Sequence, residues 1–161
     1  MGIWIVIAIA LLVIVGSVSW LRPSVKEKKQ GEWRHQALMA GLKVSLQGLP
    51  AEPKESGIRD DIKGASYILY NPAPQKTDTK KWAVVKQDGW MKEDLPEGWS
   101  WYKTQQTFDV ASLNNILKEL PESTLAVERT PQFSRIVWLE NGQEFDPAHL
   151  KSLLQNVQAI S

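Results

Sequence analysis

An uncharged apolar run at the start of the chain is the feature that most constrains its fold. Residues Ile3 to Leu21 include no acidic or basic side chain, and Arg22 follows them directly. Roughly nineteen residues at about 1.5 Å each would form a helix about 28 Å long, close to the thickness of the bilayer hydrocarbon. Trp4 and Trp20 stand near its two ends, where indole rings favour the headgroup level. We therefore expect a single-pass transmembrane anchor over residues 1–21.

A secretory signal peptide is the alternative interpretation of this run. Ser17-Val18-Ser19 has the small-x-small form of a cleavage site. However, Met1-Gly2-Ile3 supplies no lysine or arginine, and the apolar run is longer than the usual core of a signal peptide. The pattern favours an anchor that is retained.

Positive charge is concentrated directly after the apolar run. Between Arg22 and Lys43 there are six Lys or Arg residues against two Asp or Glu, whereas the whole chain has a net charge of +1. Because basic flanks stay on the cytoplasmic side, we expect the C-terminal domain to lie in the cytoplasm. A basic excess confined to one segment favours the lipid bilayer over nucleic acid as a partner, and setting the membrane topology alone is the equally open interpretation. The side chains expected at the membrane interface are Trp4, Trp20, Arg22, Lys26, Lys28 and Lys29.

Residues 22–42 predict a basic juxtamembrane helix. Ser24 and Glu27 have the spacing of a capping box, and Gly41 is suited to the left-handed residue after a helix end. The first half is charged all round, so we expect it to be solvated or lipid-facing. The second half gathers apolar residues and should pack on the domain that follows. Its apolar residues are Trp33, Ala37, Leu38 and Leu42.

Residues 43–161 predict one soluble α+β domain. Alternating apolar residues and flanking turns indicate six strands, and two stretches with helical periodicity begin at Asp109 and Asp146. The resulting order, β-β-β-β-α-β-β-α, predicts helices on one face of a mostly antiparallel sheet. The predicted strands are 43–49, 65–70, 81–87, 99–105, 124–129 and 134–140, with polar loops at 50–64 and 71–80 and a turn at Asn141-Gly142.

No catalytic, cofactor-binding or metal-binding motif is recognisable. The chain has no cysteine and only two histidines, His35 and His149, which makes a zinc site improbable. Carboxylates in polar loops or beside turns are usually solvated, so we predict no catalytic residue, no cofactor, no metal and no enzymatic activity. The carboxylate pairs considered were Asp60-Asp61, Glu93-Asp94 and Glu140 with Glu144.

Tryptophan is frequent, with eight residues in the chain. Trp90, Trp99 and Trp101 fall in one turn-rich stretch. Core packing is one interpretation of these three. The other is an exposed aromatic surface for a protein partner, because tryptophan is enriched in binding hot spots. Nearby acidic residues balance the lysines, so nucleic acid is not the expected partner.

The residues around the anchor carry a family resemblance. They are Leu21-Arg22-Pro23, the lysine-rich helix that follows, and then Leu38, Gly41, Val44 and Gly48. Residues 3–48 resemble the small accessory subunit of the bacterial preprotein translocase, the YajC type, and uncharacterised single-pass proteins of Gram-negative bacteria. Ser24 stands where that family usually has Gln, and the C-terminal domain has no counterpart in it. The resemblance implies an inner-membrane location and a cytoplasmic C-terminal part.

These observations predict a non-enzymatic, single-pass membrane protein that presents a cytoplasmic interaction domain. It would act as an accessory or assembly factor of a membrane complex. Two alternatives remain open. One is a membrane-tethered module that binds a small molecule or lipid, and the other is a membrane-bound enzyme that uses the loop carboxylates Asp60, Asp61 or Glu144.

Overall fold

The predicted α+β architecture is confirmed. The computed structural model describes residues 2–20, 24–75, 77–104, 109–140 and 146–160, without the side chains of 17–20 and 104. The predicted turn at Asn141-Gly142 lies outside these residues. The elements are α1 (Gly2–Trp20), α2 (Val25–Met39), β1 (Lys43–Ser45), β2 (Ala65–Tyr70), β3 (Trp82–Val85), β4 (Ser100–Thr104), α3 (Val110–Glu119), β5 (Thr124–Arg129), β6 (Phe133–Trp138) and α4 (Pro147–Ala159).

The six strands form one antiparallel sheet in the order β1-β2-β6-β5-β3-β4. The late hairpin β5-β6 is inserted between β2 and β3, so the central strands of the sheet come from the second half of the domain. The longest ladder joins β2 to β6, from Ala65 opposite Trp138 to Tyr70 opposite Phe133. The short strand β1 and the bulged strand β4 lie at the edges.

Helix α4 covers one face of the sheet. It packs on β2 and β6, and α3 packs beside it. The Ser134 hydroxyl donates to the Leu154 carbonyl at 2.8 Å, and the Arg129 Nε donates to the Gln158 carbonyl at 3.2 Å. These bonds tie two strands to the second half of α4.

The other face of the sheet is covered by the segment between β1 and β2. Successive side chains of a strand alternate between faces, so Val137 points away from the side on which Ser134 meets α4. Val137 joins a buried cluster with Ile58 and Ile62. Residues 50–64 were expected to form a polar loop, and they do lack regular strands. Their two isoleucines nevertheless supply core for this face.

Local capping residues explain where the helices begin and end. Ser24 and Glu27 form the predicted capping box, with the Glu27 N–H donating to the Ser24 hydroxyl and the Ser24 N–H donating to the Glu27 carboxylate. Gly41 has a φ of +89° and ends α2 in a Schellman motif. In this motif the Gly41 N–H donates to the Leu38 carbonyl and the Leu42 N–H to the Ala37 carbonyl. Asp109 and Asp146 cap α3 and α4.

The chain divides into two compact units, Met1–Trp33 and Arg34–Ser161. The first unit holds α1 and the exposed first half of α2. The second begins within α2 and holds the whole sheet. Ala37 and Leu42 are buried in it as expected, but Leu38 is half exposed because it lies on the outer side of the last helical turn. Among the described residues, no helix is long and apolar enough to cross a membrane.

Candidate functional site

Trp90 is the most exposed tryptophan of the second unit, with 70% of its surface accessible. It lies in the connection between β3 and β4, and its indole ring rests on Gly57. A Cβ atom added to Gly57 would lie 2.5 Å from the Trp90 Cδ1. One side of the indole is therefore against backbone, while most of the ring faces solvent.

The backbone around Trp90 is fixed by hydrogen bonds. The Trp90 N–H donates to the Ser56 carbonyl at 3.0 Å, and the preceding Gly89 N–H donates to the Ser100 hydroxyl at 2.9 Å. The Trp101 N–H donates to the Met91 carbonyl at 2.8 Å. Gly57 has a φ of +76°, in the left-handed region that favours glycine. The ring is thus presented from a rigid support, which we call the Trp90 platform and define as Gly57, Gly89, Trp90 and Met91.

The surroundings of the platform carry negative charge. Residues 86–98 hold four acidic side chains and two lysines. Both lysines are engaged, since the Lys92 Nζ lies 2.7 Å from Asp88 and the Lys86 Nζ donates to the Glu122 carbonyl at 2.7 Å. The exposed carboxylates of this turn that form no ion pair within the described residues are Glu93, Asp94 and Glu97.

Trp99 and Trp101 do not belong to this surface. They are 6% and 7% exposed. Trp101 donates its indole N–H to the Glu93 carbonyl at 3.1 Å, which anchors the turn that carries Trp90. Of the three tryptophans considered as a partner surface, only Trp90 is accessible. The other two are buried, and Trp101 supports the turn from beneath.

A buried ion pair joins the second half of α2 to the sheet. Glu140, two residues after the end of β6, is only 7% exposed. Its carboxylate accepts from the Arg34 guanidinium at 2.9 and 2.5 Å and from the Tyr67 hydroxyl at 2.6 Å. Glu140 also has a φ of +52°, unusual for a residue with a side chain. Burial, together with the hydrogen bond to Glu140, raises the pKa of Tyr67 far above its usual value, so this phenol stays neutral.

Glu140 is also one member of a carboxylate pair suggested by the sequence. Glu140 was considered together with Glu144, which lies outside the described residues. The structure shows that two residues from distant parts of the chain, Arg34 and Tyr67, donate to Glu140. No local spacing signals a contact between positions 34, 67 and 140. Three hydrogen bonds from these two residues satisfy the buried carboxylate and hold the second half of α2, which is a structural role.

A second polar cluster lies on the sheet face opposite α4. Lys103 and Glu52 are paired at 3.2 Å, and Arg135 and Glu128 at 2.5 Å. Burial, followed by the proximity of the Glu52 carboxylate, raises the pKa of Tyr102 above its usual value, and the Tyr102 hydroxyl donates to the Pro50 carbonyl at 3.1 Å. Each acidic group has a basic partner, so the cluster is internally compensated. The Arg135–Glu128 pair joins directly opposed residues of β6 and β5, so it stabilises strand pairing.

The remaining loop carboxylates and the histidines that the structure describes lie on the surface. Asp60 and Asp61 are exposed, and the Asp61 carboxylate accepts the Ala51 N–H at 2.7 Å, as in a turn. His35 and His149 are both exposed on helices. Within the described part of the chain, no group of three or more potential ligands is arranged to hold a metal ion.

The residues expected at a membrane interface belong to the first unit. Trp4, Lys26, Lys28 and Lys29 are exposed. Arg22 and the Trp20 side chain lie outside the part of the chain that the structure describes.

Comparison with known proteins adds no family. No protein-family model, no curated protein and no solved structure matches this chain.

Proposed function

We propose that this protein is a membrane-attached interaction module, in which α1 holds the chain at a membrane and the Trp90 platform binds a partner protein. It would serve as an accessory or assembly factor of a membrane complex, with residues 43–161 in the cytoplasm. The observation that carries the proposal is that Trp90 faces solvent from a backbone fixed by hydrogen bonds. The other tryptophans described in the second unit are buried.

Attachment through α1 is supported by the surface of that helix. Its described large apolar side chains include Ile3, Trp4 and Leu12, each more than two-thirds exposed. No charged side chain occurs between Gly2 and Trp20. Leaving so much apolar surface in water is unfavourable by about 25 cal/mol for each Å². Contact with lipid would remove this cost, and the lysines at the start of α2 would then meet headgroups.

Binding of a protein by the Trp90 platform is supported by its exposure and its rigidity. Tryptophan is the side chain most enriched in interface hot spots. A side chain that is already held in place loses little conformational entropy on binding, which favours affinity.

Membrane attachment is tested by expressing the full chain in bacteria and extracting the membranes with alkaline carbonate. The wild-type chain should stay in the membrane pellet. The double variant Ile9→Arg/Leu12→Arg should shift to the supernatant, because a charged side chain is unfavourable where the surface of α1 contacts lipid. Leu46→Arg is the matched control, since Leu46 is exposed but lies outside α1. Equal extraction of all three chains would contradict attachment through α1.

Orientation is tested with introduced thiols, because the native chain has no cysteine. A cysteine at Ser161 should be protected from a membrane-impermeant thiol reagent in intact spheroplasts and react after lysis. Reaction in intact spheroplasts would place the C-terminal domain on the periplasmic side.

The partner surface is tested by photo-crosslinking from position 91 in membranes, with the native chain, Trp90→Ala and the control Leu46→Ala. A discrete adduct should form with the native and control chains and disappear with Trp90→Ala. An adduct that survives the loss of Trp90 would show that the platform is not the binding surface.

A further inference from the structure

We infer that the partner of the Trp90 platform is a basic protein segment that places an arginine side chain on the solvent-facing side of the indole. This inference rests on the proposed binding function of the platform and names the chemistry of its partner. The Trp90 ring offers one open face, since the other lies against Gly57.

The aromatic component favours a cation. The face of an indole ring carries negative electrostatic potential and attracts guanidinium groups, more strongly than the rings of tyrosine or phenylalanine. Within the described residues, no basic side chain forms a cation–π contact with Trp90. Lys92 is held by Asp88, at 2.7 Å. The open face of Trp90 therefore remains available for a cation from another molecule.

The electrostatic component favours a partner with several positive charges. Glu93 and Asp94 are three and four residues from Trp90, so their backbone lies within about 14 Å of it. Together with Glu97 they are exposed carboxylates without an ion pair among the described residues. Complementary charge guides association and disfavours partners of the same sign. An anionic lipid surface would be repelled by these carboxylates, which favours a basic protein as the occupant.

Arginine is preferred over lysine at such a site for a geometric reason. Its planar guanidinium can stack on an aromatic ring while its edge donates hydrogen bonds to carboxylates. A lysine ammonium is a compact and more strongly hydrated charge that satisfies both requirements less well. Binding should therefore rank arginine above lysine, and a glutamate-containing segment should not bind.

The experiment follows the indole N–H signals of the full chain in detergent micelles, labelled with ¹⁵N at tryptophan. The Trp90 signal is assigned by its loss in Trp90→Phe. The probes are three hexapeptides that alternate alanine with arginine, lysine or glutamate. The arginine peptide should shift the Trp90 signal in a saturable manner, the lysine peptide more weakly and the glutamate peptide not at all. Trp99 and Trp101 should keep their positions, since both are buried.

A charge-neutral variant completes the test. Glu93→Gln/Asp94→Asn/Glu97→Gln should weaken binding of the arginine peptide by about threefold or more, through loss of screened charge interactions. The exposed variant Glu119→Gln is the control and should bind like the native chain. Absence of a Trp90 shift, or an equal shift with the glutamate peptide, would overturn the inference. A Trp90-dependent adduct in membranes combined with no response to arginine would overturn only this inference and leave the proposed function standing.

Discussion

Truncation of Glu140 is the sharpest test of how the domain holds the second half of α2. Glu140 is buried and accepts hydrogen bonds from Arg34 and Tyr67. Removal of one partner from a buried charged pair costs about 3–5 kcal/mol. The Arg34 side chain is 32% exposed, so its guanidinium can regain water after the change. We therefore expect Glu140→Ala to lose about 3 kcal/mol of unfolding free energy, the lower end of that range.

Glu140→Gln separates the charge from the shape of the side chain. Glutamine has the same length and the same backbone cost at a φ of +52°. It can still accept the Tyr67 hydroxyl, but it loses the charge that strengthens the bonds from Arg34. The expected loss is about 1–2 kcal/mol, the difference between charge-assisted and neutral hydrogen bonds.

The assay is urea unfolding of the micelle-solubilised full chain, followed by far-ultraviolet circular dichroism. Glu119→Gln, which changes an exposed carboxylate on α3, should stay within about 0.5 kcal/mol of the native chain. A double-mutant cycle of Arg34→Ala with Glu140→Ala should show a coupling of at least about 0.5 kcal/mol. Additive single effects, or a Glu140→Ala loss no larger than that of the control, would refute the reasoning.

Three further outcomes follow from other contacts. A hydrogen bond from Arg129 holds the pKa of Asp78 below its usual value. The contribution of ionised Asp78 to the unfolding free energy is therefore complete above about pH 4 and is lost as pH falls through the lowered pKa. Asp78→Asn should therefore lose about 1–2 kcal/mol at pH 7 and converge with the native chain in acid, as measured by urea unfolding across pH. Ile58→Ala should lose about 2–5 kcal/mol in the same unfolding measurement, because Ile58 is fully buried. Gly57→Ala should lower stability by about 1–3 kcal/mol and move the Trp90 indole signal, since the new Cβ would contact the ring; an unmoved signal would contradict the platform geometry.

The order of elements in the domain was predictable because its signals are local. Asp109 and Asp146 bond to backbone N–H groups within the next few residues, and the capping box of Ser24 works in the same way. Strand β2 begins and ends where the apolar run 65–70 predicts. β1 ends at Ser45, before the predicted end at Leu49, because Leu49 pairs with Ile62 in an isolated bridge and not with β2.

The candidate site was only partly predictable. Trp90, Trp99 and Trp101 look alike in the sequence, because each lies near turn residues and charged neighbours. Their exposure depends on which turn lies over which strand. The support beneath Trp90 comes from Gly57, more than thirty positions earlier in the chain. Burial of Ile58 and Ile62 has the same origin, since their loop folds over a sheet face assembled from later strands.

By itself the sequence determined the helices, the strands, their order and the division between an apolar start, a basic segment and an α+β domain. Those features depend on side-chain periodicity and on caps formed between residues a few positions apart. Tertiary structure alone decided that β5 and β6 sit between β2 and β3, that Glu140 pairs with Arg34 and Tyr67, and that Trp90 is the tryptophan left facing solvent. These outcomes depend on contacts between residues distant in the chain. The periodicity of side chains along one sequence does not specify which distant residues come into contact.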